Sequence, residues 1–148
     1  MGFLDSMDIS ASALTATRVR MDTVAENIAN INTTRTASGE AYRRKFVVFE
    51  EIEADGRRAR FSTFFNRTNA RAAGGVRVAY IGEDSSAFKL DYDPTHPDAN
   101  EDGYVEKPNV EVVQEMVDMM AAYRAYEANI TALNTFKDMA VKTLELGR

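Results

Sequence analysis

The sequence has no cysteine, no tryptophan, one histidine and only 3 prolines among its 148 residues. Without cysteine the chain has no disulfide bridge, no thiolate metal ligand and no cysteine nucleophile, and catalysis by histidine would depend on His96 alone. No stretch reaches the ~18 consecutive apolar residues of a membrane span. Asp5 and Asp8 lie where a secretory signal peptide carries Lys or Arg. We therefore predict a chain made in the cytosol, not inserted in a membrane, and not an enzyme.

Charge and chain breaks divide the sequence into three parts. The net charge is −5, but residues 35–77 contain ten basic and five acidic side chains, whereas residues 78–148 contain six basic and fourteen acidic ones. Glycine and proline are absent from Ser6 to about Asn32 and again from Asn109 to Leu146. These breaks predict an N-terminal helix in residues 1–34, a central β-rich domain with loops in 35–108, and a C-terminal helix in 109–148 that forms one coiled-coil domain with the first.

Both uninterrupted stretches have the hydrophobic repeat of long amphipathic helices. Near the N-terminus, spacings of three and four alternate along Met7, Ser10, Leu14, Thr17, Met21, Val24, Ile28 and Ile31. Near the C-terminus the same alternation follows Val112, Met116, Met119, Tyr123, Tyr126, Ile130 and Leu133. Asn109, which directly follows Pro108, is the predicted N-cap of the second helix.

The predicted helices are too long for a compact fold. A helix from Asn109 to Leu146 would measure roughly 57 Å at about 1.5 Å per residue, whereas a compact globule of this chain length has a diameter of roughly 38 Å. The apolar stripes must therefore pack on each other and on neighbouring molecules. The sequence predicts an α+β fold, in which the long N- and C-terminal helices form an antiparallel coiled coil beside a small central β-sheet domain.

The centre of the chain has the composition of β-strands. Asp55-Gly56 is a hairpin-turn signal between the first two candidate strands. Four segments rich in β-branched and aromatic residues predict three or four strands in one small twisted sheet: Tyr42–Glu53, Ala59–Phe65, Gly75–Gly82 and Phe88–Tyr92.

The helix stripes are also the predicted assembly interface, because the length argument requires contacts between molecules. Three asparagines border the stripes, where a buried asparagine fixes the register of paired helices, although a solvated asparagine is an equally good interpretation. The predicted interface residues are Met7, Leu14, Met21, Val24, Asn27, Ile28, Asn30, Ile31, Val112, Met116, Met119, Tyr123, Tyr126, Asn129, Ile130 and Leu133.

One acidic segment matches the opening of a calcium-binding loop. Asp98-Ala-Asn-Glu-Asp-Gly103 places oxygen ligands at the first, third and fifth positions and glycine at the sixth. The twelfth position, which needs a bidentate glutamate, is Asn109, and two upstream prolines exclude an entering helix. We therefore predict a turn with Gly103 at positive φ, with no metal ion and no cofactor. His96 is a pH-sensitive contact in one interpretation and a packing residue in the favoured one.

The centre of the chain is rich in both basic and aromatic residues, a composition that resembles a nucleic-acid-binding face. In a self-assembling protein, the acidic residues of 78–148 can form ion pairs with these arginines. We therefore predict no nucleic-acid partner. Two functions stay open on this evidence. One is a self-assembling structural subunit, and the alternative is a monomeric binding module that uses the basic central sheet with a weak dependence on calcium.

Both ends of the chain carry long motifs. Ala25-Glu-Asn-Ile-Ala-Asn-Ile-Asn-Thr33 is followed by Tyr42-Arg-Arg-Lys45, and Asn109-Val-Glu-Val-Val-Gln-Glu-Met-Val-Asp118 by Arg124-Ala-Tyr-Glu-Ala-Asn129. These motifs resemble the N- and C-terminal signatures of the bacterial flagellar rod and hook family. The segment from Phe88 to Val105 looks like that of the proximal rod subfamily of the C type.

The resemblance implies a structural subunit of the flagellar basal-body proximal rod, which self-assembles with other axial proteins into a helical tube that transmits torque. The terminal helices would line the tube, with the central sheet outside. The implied partners are further copies of the chain, other proximal-rod and distal-rod proteins, the rod cap and the flagellar export apparatus. The resemblance also implies passage through the type III export gate to the periplasmic space without a cleaved signal peptide.

Overall fold

The computed structural model describes residues 3–52 and 74–146. The elements in chain order are α1 (Phe3–Ala29), β1 (Lys45–Ile52), β2 (Gly75–Glu83), β3 (Lys89–Tyr92), β4 (Tyr104–Lys107) and α2 (Val112–Leu146). Long terminal helices with short antiparallel strands between them confirm the predicted α+β fold. At about 1.5 Å per residue, α1 is roughly 40 Å long and α2 roughly 52 Å.

The two helices pack against each other in opposite directions. Arg20 on α1 bonds to Asp118 on α2 at 3.2 Å, and Asn27, two turns further along α1, bonds to Glu115, one turn earlier on α2. Two residues of the predicted α1 stripe, Ser10 and Val24, are buried, and its other residues are partly buried. The antiparallel arrangement of the helices is therefore as predicted.

The strands form two separate two-stranded antiparallel sheets, so the prediction of one sheet is wrong for the described residues. β1 pairs with β2, with an irregularity between Val48 and Phe49, and β3 pairs with the unpredicted strand β4. Just after β2, the Asn109 side chain donates hydrogen bonds to the carbonyl oxygens of Asp84 and Ser86. The predicted strand 59–65 and the turn at 55–56 lie outside the described residues.

Two predicted element boundaries are also wrong, for reasons that lie in tertiary contacts. β1 begins at Lys45 and not at Tyr42, because Tyr42 is buried with its hydroxyl bonded to Asn27. Asn109 does not cap α2, which begins at Val112. Its side-chain oxygen accepts a hydrogen bond from the backbone N–H of Arg44 instead.

The apolar core of the described region is small. Its buried apolar residues include only a few large side chains, and much of α2 is exposed. Neither helix in the described ranges has an apolar stretch sufficient to cross a membrane. The buried apolar residues are Ala16, Val24, Ala41, Tyr42, Val105, Val110 and Ala122.

Candidate functional site: a buried polar junction and an exposed helix surface

A fully buried asparagine joins α1, β1 and α2. The Asn27 side-chain oxygen accepts hydrogen bonds from the Tyr42 hydroxyl and the Lys45 backbone N–H, each at 2.9 Å. Its amide nitrogen donates to the Lys45 carbonyl at 2.8 Å and to Glu115 Oε2 at 3.0 Å. Both donors and both acceptor positions of the carboxamide are therefore used. Asn27 fixes the start of β1 against both helices.

A row of charged groups extends from this asparagine across the helix pair. Glu115 is 0% exposed, and its Oε1 accepts a hydrogen bond from Arg44 Nε at 2.6 Å. Arg44 also reaches Asp118 at 3.3 Å, and Asp118 in turn bonds to Arg20 at 3.2 Å. Because Glu115 would be costly to bury without partners, this row determines which side of α2 faces α1.

Asn109 completes the cluster at the start of α2. Its oxygen accepts from the Arg44 N–H at 2.8 Å, and its amide nitrogen donates to the Ser86 hydroxyl at 2.8 Å. We call Arg20, Asn27, Tyr42, Arg44, Asn109, Glu115 and Asp118 the polar junction. In the described part of the chain, every buried side-chain nitrogen and oxygen atom has a hydrogen-bond partner.

The phenol of Tyr42 is held in its neutral form. Burial is the largest cause, followed by the nearby carboxylates of Glu26, Glu115 and Glu83, and together they raise the pKa of Tyr42 from 10.0 to about 12. A tyrosine is charged only after it loses its proton. The junction therefore favours the protonated side chain that donates to Asn27.

Stability is expected to fall above pH 10 because of this shift. Between pH 10.0 and about 12 the unfolded chain releases the Tyr42 proton while the folded chain retains it, so the free energy of unfolding decreases as the pH rises. Below pH 10 the contribution is fully present. Urea unfolding as a function of pH should show this decline, and Tyr42→Phe should reduce its slope. The phenolate absorbance that the variant loses should titrate with a midpoint near 12.

The acidic loop between β3 and β4 is organised as a turn. Asn100 Oδ1 accepts hydrogen bonds from the N–H groups of Asp102 and Tyr104. Asp98 accepts from the Thr34 hydroxyl at 2.9 Å, so its carboxylate is directed to the segment that follows α1. The described residues contain no group of three or more acidic, histidine or cysteine side chains placed to hold a metal ion.

The turn prediction for Gly103 is confirmed, since its φ is 81°. His96 also belongs to this turn: its Nδ1 accepts a hydrogen bond from the N–H of Asp98 at 3.1 Å. Hydrogen bonds from the hydroxyl and N–H of Thr95 lower the pKa of Asp93 in the same loop.

Gly103→Val is expected to destabilise the fold by about 2 kcal/mol, because a β-branched residue resists positive φ. Its Cβ would also lie 3.0 Å from Tyr92 and 3.3 Å from Pro94. Asp98→Ala should cost about 1 kcal/mol, since it removes a partly buried hydrogen bond from Thr34 and a long, exposed ion pair with Arg35. Thermal melting compares the two variants.

A calcium site would reverse this ranking and would give a melting temperature that depends on chelator. Calorimetric detection of calcium binding tighter than about 1 mM would contradict the assignment of residues 98–103 as a turn.

The outer surface of α2 exposes many large apolar side chains. Within the first third of the helix, Val113 is 70% exposed, Met120 57% and Tyr123 59%. A contiguous apolar surface of this kind marks a site of protein association. The exposed large apolar residues of α2 are Val112, Val113, Met116, Val117, Met120, Tyr123, Ile130, Met139, Val141, Leu144 and Leu146.

The predicted interface residues differ in how far the folded chain buries them. Val24 and Asn27 are buried inside the chain, whereas Val112, Met116 and Tyr123 are exposed. Asn30 and Asn129 bond to carbonyl oxygens one turn earlier in their own helices. The other predicted residues are partly buried or lie at the border of exposure: Met7, Leu14, Met21, Ile28, Ile31, Met119, Tyr126, Ile130 and Leu133.

The sequence patterns missed the charged members of the junction. Arg20, Arg44, Glu115 and Asp118 do not belong to the hydrophobic repeat that we used to find the packed faces. These charged residues lie within or near the two terminal motifs, and this position could have identified them. In the folded chain, residues 42–45 and 109–118 of the motifs meet at Asn27. The motifs are therefore the segments that build the junction.

Comparison with known sequences finds family matches that include these same segments. Residues 7–35 match the family of flagella basal body rod proteins, and residues 101–146 match the C-terminal region of the flagellar basal body rod FlgEFG proteins. The flagellar basal-body rod protein FlgC of Bacillus subtilis is 49% identical to this chain over 150 residues, which is 97% of each. The chain belongs to the FlgC family of flagellar basal-body rod proteins.

Further relatives in the FlgC family span all or nearly all of the chain. The FlgC protein of Salmonella typhimurium is 43% identical over 148 residues and covers all of both chains. That of Borreliella burgdorferi is also 43% identical, over 94% of this chain and 93% of the relative. Membership of the FlgC family confirms the resemblance drawn from the motifs and the function of a structural rod subunit of the basal body. It gives no support to the alternative of a monomeric binding module.

Proposed function

We propose that the chain is a subunit of the proximal rod, where it joins further copies of itself and other proximal-rod and distal-rod proteins in a helical tube that transmits torque. The observation that carries this proposal is the exposed apolar surface of α2, which needs a covering partner. The small core of the described region supports it, because the isolated subunit buries few large apolar side chains.

We propose different positions in the tube for the helix pair and for the central part of the chain. Residues 1–34 and 109–148 act as one coiled-coil domain that lines the tube, and residues 35–108 lie outside it. The polar junction supports this arrangement, because Arg44 and Asn109 attach the first sheet to the helix pair through partly buried hydrogen bonds. A rigid attachment is what torque transmission through the subunit requires.

The proposed interface comprises the helix stripes of α1 and α2. In an assembled rod, exposed residues such as Met116 and Tyr123 would be covered by neighbouring subunits, whereas Val24 and Asn27 hold the subunit together. The proposal assigns the chain no catalytic activity, in keeping with relatives that are named as rod proteins.

We also propose that the chain reaches the periplasmic part of the basal body through the flagellar type III export apparatus, where it meets the rod cap. Mass spectrometry of the chain recovered from isolated basal bodies should find the segment around Asp5 and Asp8 intact. Removal of this segment from the recovered chain would contradict export without cleavage.

Deletion of the gene tests the rod function. Cells without the chain should not swim, and their isolated basal bodies should lack a complete rod. Expression of the full chain should restore both. Complete rods and normal swimming in the deleted strain would overturn the proposed function.

A further inference from the structure

The first sheet, formed by β1 and β2, packs on α1 and is bonded to this helix at both of its ends. At one end, Asn27 bonds to the backbone N–H and the carbonyl oxygen of Lys45. At the other end, the hydroxyl oxygen of Ser12 accepts a hydrogen bond from the backbone N–H of Val76 at 3.1 Å. Ser12 and Asn27 are roughly 22 Å apart along α1 at about 1.5 Å per residue. The 8 residues of β1 span a similar length, roughly 24 Å, so the sheet extends from one attachment to the other.

The contact at the Ser12 end leaves no room for a side chain at position 75. A Cβ atom added to Gly75 would lie 2.6 Å from Ser12 Oγ and 3.3 Å from Ser12 Cβ. Ser12 Oγ is held in place, because it donates to the Ile9 carbonyl at 2.7 Å while it accepts from Val76. Gly75 does not have a positive φ. The close approach of strand and helix, and not an unusual backbone conformation, therefore requires glycine here.

We propose that Ser12 and Gly75 form a clasp that holds the far end of the first sheet on α1. Attached at the polar junction alone, the sheet would be free to pivot about that end, and the second attachment removes this freedom. The chain leaves β1 after Ile52, which pairs with Gly75. The clasp therefore fixes the place on α1 from which residues 53–73 depart, and Ser12 and Gly75 are positioning residues for this part of the chain. The inference goes beyond the proposed function, because it concerns how the subunit holds its own central part.

Thermal melting of the isolated subunit tests the clasp by removing and then restoring the space at position 75. Gly75→Ala should lower the melting temperature by about 6 °C, because the added methyl group meets Ser12 Oγ. Ser12→Gly should lower it by about 5 °C, through the lost Val76 bond and the poor helix propensity of glycine. The double variant should melt no lower than Ser12→Gly alone. In that background the nearest remaining atom of those around the new Cβ is Ile52 Cδ1, at an ordinary 3.6 Å.

Gly74→Ala is the matched control for Gly75→Ala. The two glycines are neighbours, but a Cβ added to Gly74 would meet only the carbonyl oxygen of Ile52, at 3.9 Å. This variant should melt like the unmodified chain. A double variant of Ser12→Gly and Gly75→Ala whose melting shift equals the sum of the two single shifts would overturn the clasp, because independent sites give additive effects.

Distance measurements distinguish a positioning role from a purely stabilising one. The chain has no cysteine, so a pair of introduced cysteines carries the only spin labels. Asp8→Cys on α1 with Glu51→Cys on β1 reports on the clasp end, and Ala25→Cys with Ser85→Cys reports on the junction end; all four positions are exposed. Below the melting temperature, Gly75→Ala should broaden the distance distribution of the first pair and leave that of the second unchanged. An unchanged first distribution would overturn the clasp.

Swimming shows whether the clasp matters in the rod. Cells with Gly75→Ala should form swim rings about twofold smaller in diameter, whereas cells with Gly74→Ala should swim normally. Normal swimming of Gly75→Ala, despite a broadened distance distribution, would overturn the positioning role. The melting and distance measurements use the isolated subunit, so their outcome is independent of the proposed function, which fails if cells swim normally after deletion of the gene.

Discussion

Met116→Asp and Tyr123→Asp are each expected to abolish incorporation into the rod, and with it swimming, while the isolated subunit stays folded. Met116 is 55% exposed and Tyr123 59%, so a carboxylate at either position is solvated in the monomer. In an assembled rod the same carboxylate would be covered by a neighbour and unpaired, at a cost of several kcal/mol. Swim-ring diameter and the amount of the chain in purified basal bodies measure the effect.

Met21→Asp is expected to affect both assembly and folding, in contrast to the two substitutions on α2. Met21 is partly buried on α1, so its replacement by aspartate should impair the rod and also lower the melting temperature of the isolated subunit. Arg18→Ala, an exposed change on the same helix, should affect neither measurement. Normal rods with Met116→Asp or Tyr123→Asp would contradict the assignment of the α2 surface to assembly.

Glu115→Ala is expected to lower the free energy of unfolding by about 3 kcal/mol, a large share of the stability of a chain of this size. The substitution removes the acceptor for Arg44 Nε and for the Asn27 amide nitrogen, and leaves an unpaired donor in a fully buried site. Urea unfolding of the isolated subunit measures the loss.

The control for this substitution is Glu111→Ala, at an exposed position just before α2, which should cost about 0.5 kcal/mol or less. Glu115→Gln should have an intermediate effect, because the amide retains an acceptor oxygen but loses the charge opposite Arg44. Equal unfolding free energies for Glu115→Ala and Glu111→Ala would contradict the structural role given to the junction.

The strands show where local sequence signals were sufficient and where they were not. β1 and β2 coincide closely with predicted segments because β-branched and aromatic residues dominate them. β4 was missed because it has only four residues and directly follows the Gly103 turn. The described strands form two sheets and not one, and this pairing is not contained in residue composition.

The two helices, by contrast, were evident from the chain itself. Both stretches lack glycine and proline, and both repeat apolar residues at spacings of three and four. These are local properties, and they are sufficient to predict two long helices. The prediction that the helices contact neighbouring molecules also came from helix length alone. The terminal motifs were sufficient to indicate the family, which full-length relatives confirm.

Only the tertiary structure decided which side of α2 faces its own chain. Apolar or small residues occur around most of this helix. Periodicity therefore selected a stripe in which Met116 and Tyr123 are exposed, whereas Met119, Tyr126 and Leu133 are partly buried. The packed side is set by Glu115, whose partners Arg44 and Asn27 lie 71 and 88 residues earlier in the chain. A buried charge is tolerated only where such partners meet it, and their meeting is a property of the folded chain that no local pattern contains.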